Sequence, residues 1–76
     1  MTAIGLLRKW RELIANNPSM GLFWPADQEI GGGMPSIEAK AAIKDACFSH
    51  KLPLDQAQRL RIYDAAIARL EGEPNQ

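Results

Sequence analysis

Cys47 and His50 are the chain's only thiol and imidazole. Their spacing of three puts both on one face of a helix, which is half of a tetrahedral zinc site, so a second chain would have to supply the other ligands. The simpler expectation is a small apolar cysteine on an Ala/Ile face and a histidine near a helix C-terminus, where the dipole favours a cation. No metal is expected. His50 is also the only imidazole base available to Ser19, Ser36 or Ser49, and no third group is placed to orient it. Asp27 and Glu29 form a carboxylate pair in sequence, but they flank a glycine-rich loop that does not fix their separation, and a solvated acidic loop is the expectation. Gly31-Gly32-Gly33 runs toward a helix start and could present amides to a phosphate, yet the lysine followed by Ser or Thr, and the preceding strand, are absent. The chain is therefore expected to be non-catalytic, with no cofactor.

Recognition is better represented than catalysis. A loop carrying Phe23, Trp24 and Ile30 either plugs the open end of a helical core or anchors a partner, since interface energy concentrates in a few large side chains. A second candidate surface is the Ile37/Phe48 face, fringed by Lys40 and Lys44. If self-complementary, that face makes a two-fold homodimer. Gln56, Gln58, Arg59 and Arg61 follow a short turn and suit base and phosphate contact, which makes a helix-turn-helix nucleic-acid regulator the alternative. Zero net charge and the presence of Asp55 and Asp64 on the same segment argue against it. Arg8-Lys9-Trp10-Arg11 is read as a core helix with a solvated basic edge, because a membrane-surface helix needs a richer cationic face.

Three helices are expected to position these residues. The first runs near 2–16, capped by Thr2, with Ala3, Ile4, Leu6, Leu7, Trp10, Leu13 and Ile14 on one half of its circumference. It ends at Asn16-Asn17-Pro18, where asparagine tolerates a left-handed conformation and proline cannot continue the ladder. The second runs near 36–50 from a Ser36 cap, and Pro53 closes it. It carries two apolar stripes: Ala39, Ala42, Ile43, Ala46 and Cys47 on one, Ile37, Ala41 and Phe48 on the other. The small-residue stripe is assigned to the third helix, leaving the Phe48 stripe for the first helix or for another chain. The third runs near 55–71, opened by Asp55 and Gln58 at capping-box spacing and closed by Gly72, a residue free to adopt positive φ. Its stripe is Leu60, Ile62, Tyr63, Ala66, Ile67 and Leu70. Between the first two helices, Pro18 to Pro35 is expected to be ordered because Met20, Leu22, Phe23, Trp24 and Ile30 would be costly to leave in water. A single helical turn is expected at Trp24-Pro25-Ala26-Asp27.

Composition agrees. Eleven alanines, eight leucines, seven isoleucines, one threonine and no valine favour helix over strand. Seventy-six residues make one small all-α domain, residues 1–76, in which stability is marginal unless the core is dense or a second chain contributes. Nine basic and nine acidic side chains cancel. By segment, residues 1–17 carry a net +2 and the connector to Pro35 a net −2, so any electrostatic partner is local. One cysteine, no leader pattern and no apolar run near the ~20 residues of a membrane span lead to the expectation of a soluble, cytoplasmic protein. The expected role is a protein-binding module, a stoichiometric regulator or inhibitor of another protein. In general profile it resembles small accessory and anti-defence proteins of phages and mobile elements, a likeness of category that no motif carries.

Overall fold

A computed structural model describes residues 2–29, 33–48, 50–51 and 53–72. The protein is all-α, with α1 at Ala3–Asn16, a single turn α2 at Trp24–Asp27, α3 at Gly33–Cys47 and α4 at Gln56–Glu71. No strand forms among the described residues.

Each long helix begins and ends for a local reason. Thr2 is extended, and its hydroxyl accepts the Gly5 N–H at 3.0 Å, satisfying one of the orphan donors of α1. At the other end Asn17 takes φ −135°, so it is not left-handed. Instead its side-chain Nδ2 donates to Leu13 O at 2.7 Å and its backbone N–H to Ile14 O, so the amide terminates the helix by hydrogen bonding. Asp55 and Gln58 form the expected capping box for α4, with both reciprocal bonds made. Gly72 closes α4 with φ −88°, not positive, and its N–H reaches Ala68 O at 2.7 Å. A Cβ there would sit 3.1 Å from that carbonyl, so close approach is what the position asks of glycine.

The start of α3 departs most from the expectation. The helix opens at Gly33, not Ser36, and Ser36 is a buried residue of its first turns. Gly33 takes φ 67°, a conformation strained for any L side chain, and Pro35 fits the first turn because its missing N–H has no intrahelical acceptor there. The far end comes earlier too, at Cys47 rather than His50. Phe48 N–H bonds back to Asp45 O and His50 N–H to Cys47 O, tightening the exit. The turn at Trp24–Asp27 forms as expected, with proline in its opening positions. Gly31 and Ile30 lie outside the described residues.

α4 packs against both α1 and α3, α1 touches α3 less extensively, and α2 lies on α1. Trp10, Tyr63, Leu7, Ile14, Ile43 and Ile62 are fully buried at the junction, with Ala39 and Ala66 letting the helices approach closely. Leu60, Ile67 and Leu70 pack around them. The Cα envelope is 34 × 27 × 17 Å, and the short dimension is about two helix layers at 8–10 Å spacing. A helix in so thin a slab keeps an outer face that nothing in the described chain covers.

Candidate functional site

α3 is the helix whose two apolar stripes have different fates. Ala39, Ala42 and Ile43 are buried inward, and Ala46 and Cys47 pack beside them, so one small-residue face serves both α4 and α1. That leaves the second stripe without a covering neighbour among the described residues. Ile37 is 61 % exposed, Phe48 90 %, and Met34, brought onto the same face by the early helix start, 73 %. Ala41, also exposed, lies midway. At 100° per residue these four fall within about 40° of one line along the helix. Glu38 borders the line on one side and Lys44 on the other. Neither makes an ion pair among the described residues. Lys40 does: its Nζ lies 3.4 Å from Asp27, which ties α3 to α2 and removes Lys40 from the stripe's edge. Asp45 is drawn toward Arg69 at 3.7 Å.

The expected aromatic loop splits. Phe23 is half-buried and packs against the core, while Trp24 is 51 % exposed. Ile30 lies outside the described residues, so its part in that surface is undescribed. Trp10, the other indole, is fully buried and donates Nε1–H to Glu29 at 3.3 Å.

The remaining candidates are largely occupied inside the fold. Gln56 Nε2 donates to Ile14 O and Ala15 O, both at 3.1 Å, and so satisfies the C-terminal carbonyls of α1. Gln58 belongs to the capping box. Arg59 donates to Leu54 O at 2.6 Å and to Pro18 O, joining the entry of α4 to the exit of α1, with its Nε buried and unpartnered. Of the four residues that suit nucleic acid, Arg61 alone is exposed on α4 without a side-chain bond among the described residues. The basic edge of α1 is paired, not merely solvated: Arg8 with Glu71, Lys9 with Glu29 at 3.7 Å, and Arg11 with Asp64 through two bonds of 2.6 and 3.3 Å. Asp27 and Glu29 are likewise held by Lys40, Lys9 and Trp10, in place of the solvated acidic loop expected.

Cys47 and His50 both border a groove of about 620 Å³ at the end of the bundle, together with Leu22, Phe23 and Arg59. Cys47 Sγ donates to Lys44 O at 3.5 Å. No group of three or more metal-ligating side chains assembles among the described residues. Tyr63, buried at the centre, donates its hydroxyl to Leu22 O at 2.6 Å, and burial pushes its ionisation upward from the usual 10.0. Leu22 is thereby fixed to α4, which stations the connector. No helix of the described residues is long and apolar enough to cross a membrane.

Met34 and Glu38 are the residues of this face that sequence reasoning did not single out. The available signal was spacing: Met34 stands three before Ile37, so extending the helix by one turn places it on the stripe. Comparison with family models, with curated proteins and with solved structures finds no match to this chain.

Proposed function

We propose that the protein is a non-catalytic binding module, a stoichiometric regulator or inhibitor, whose docking surface is the outer face of α3. The observation that carries this reading is Phe48, a phenylalanine left 90 % exposed in line with Met34 and Ile37, when the same helix buries the smaller Ala39, Ala42 and Ile43 on its other side and packs Ala46 and Cys47 beside them. Scattered apolar residues on a surface need no explanation, but several large ones on a single helix line mark interaction sites. Recognition of this kind is helix-face docking, read as anchors one helical turn or a multiple of it apart. Trp24 is a separate exposed anchor on α2 and belongs to this surface only if the partner is large enough to reach it.

A photo-reactive side chain placed at Ile37, with Glu12 on the exposed side of α1 as control, tests the reading in host cells. A discrete adduct at Ile37, absent at Glu12 and lost on Phe48→Ser, is the expected result. No adduct, or one pattern at both positions, would overturn it.

A further inference from the structure

We infer that the groove at the end of the bundle binds a small amphipathic carboxylate, a short acyl chain or a single aromatic ring carrying one carboxyl group, with Arg59 as its anchor. This site is separate from the α3 face and goes beyond the reading of that face as a docking surface. Among the described residues the groove, of about 620 Å³, is walled by Leu22, Phe23, Pro53 and Leu54, and its two basic groups are His50 and Arg59. No acidic residue lines it. A concave, mainly apolar space of this size with a few polar groups has the make-up of a small-molecule site.

The charge balance of the groove selects an anion. Arg8, Arg11 and Arg69 each meet a carboxylate within the chain, whereas Arg59 meets only backbone carbonyls among the described residues. Its Nη1 donates to Leu54 O at 2.6 Å and its Nη2 to Pro18 O, which uses two of the five N–H groups of a guanidinium. Nε–H is buried with no acceptor, the one side-chain nitrogen or oxygen so placed among the described residues. A buried donor left unmade is costly, and more so on a charged group. The two oxygens of a carboxylate match two neighbouring guanidinium N–H groups, so one anion satisfies Nε–H together with a free Nη N–H. Asp55, the nearest acid in sequence, is committed elsewhere, because its carboxylate accepts the Gln58 N–H at 2.8 Å to start α4. The walls are set beforehand: Tyr63 holds Leu22 by its carbonyl, and Arg59 itself holds Leu54. A preformed site gives up less freedom on binding. The apolar tail then lies among Leu22, Phe23 and Leu54, and His50 on the border supplies a further donor to the carboxylate.

Hexanoate is the probe, titrated into the isotope-labelled chain and followed by NMR, with acetate as the control for the head group and hexanol for the tail. So small a ligand should bind with Kd on the order of 1 mM. The Arg59 Nε–H signal and the amides of Leu22, Phe23 and Leu54 should move on one binding curve. Hexanol should bind about tenfold more weakly, because it leaves the guanidinium without an anion, and acetate should not saturate in the same range. Arg59→Gln removes both the charge and Nε–H and should weaken hexanoate about tenfold or more. Since that change also loosens the join between α1 and α4, His50→Glu is the companion variant. It places an acid on the border of the groove, should leave urea unfolding unchanged, and should weaken hexanoate about threefold to fivefold. No saturable shift up to about 20 mM hexanoate would overturn the inference. So would equal affinity for hexanol, full affinity in both variants, or shifts centred on Met34 and Ile37 of the α3 face in place of the groove.

Discussion

The seam between α1 and α4 and the outer face of α3 both mix charged and apolar side chains, and they are completed to different degrees. Along the seam Arg8 meets Glu71, Arg11 meets Asp64, Gln56 satisfies the α1 carbonyls and Tyr63 holds Leu22. On α3, Glu38 and Lys44 meet nothing described within the chain, and Met34, Ile37 and Phe48 face outward. Exposed ion pairs contribute little to stability, about 0–1 kcal/mol each, so the pairing on the seam matters chiefly because it leaves no charge there for a partner. The contrast shows where the molecule is closed and where it is open.

The contrast would break most visibly at the core beneath the seam. Leu7→Ala removes a fully buried side chain of α1 and should cost about 2–5 kcal/mol by lost burial and a residual cavity, measured by urea unfolding. A domain this small has little stability beyond that, so partial unfolding at 25 °C is the expected extreme. A loss below about 1 kcal/mol would mean that α1 is not clamped as described.

Tyr63→Phe is the next largest effect and adds a pH signature. It leaves the Leu22 carbonyl buried without its donor and should cost about 1–3 kcal/mol. The unfolded chain releases the phenol proton near 10.0, and the folded chain holds it to higher pH. Above that point the unfolded state therefore binds fewer protons, and wild-type stability falls as pH rises. The contribution is fully present below pH 10 and lost above it. Tyr63→Phe should flatten the alkaline part of the stability curve, and since Tyr63 is the only tyrosine, its ultraviolet absorbance should show ionisation coinciding with unfolding. Ordinary titration near 10 in the folded protein would place the ring in solvent.

Much of the fold was legible because helix ends carry local chemistry. Thr2, Asp55 with Gln58, and the Trp24-Pro25 turn acted as their residue types require, and the stripes of α1 and α4 followed helical periodicity except at Leu13, which is exposed at the edge of the α1 stripe. The start of α3 was not legible in the same way. Serine is a common cap, but the chain used the positive φ of Gly33, and the competition between two plausible starts is decided by packing that buries Ser36. The polar residues of α4 illustrate a different limit. Gln56 and Arg59 look like surface contacts in sequence, yet their acceptors on the exit of α1 lie 42 and 41 residues away along the chain. Such partners depend on tertiary arrangement, not on spacing. Of the candidate face, Ile37, Lys44 and Phe48 were visible as a second stripe, whereas Lys40 was drawn off by Asp27.

The central claim, that α3 presents an apolar face the fold does not use, is tested most directly by Phe48→Ser read for folding and association together. Stability in urea should stay within about 0.5 kcal/mol of wild type, as for a surface position, while the adduct at Ile37 disappears. A loss of about 2 kcal/mol or more would place Phe48 inside the folded unit and contradict the account.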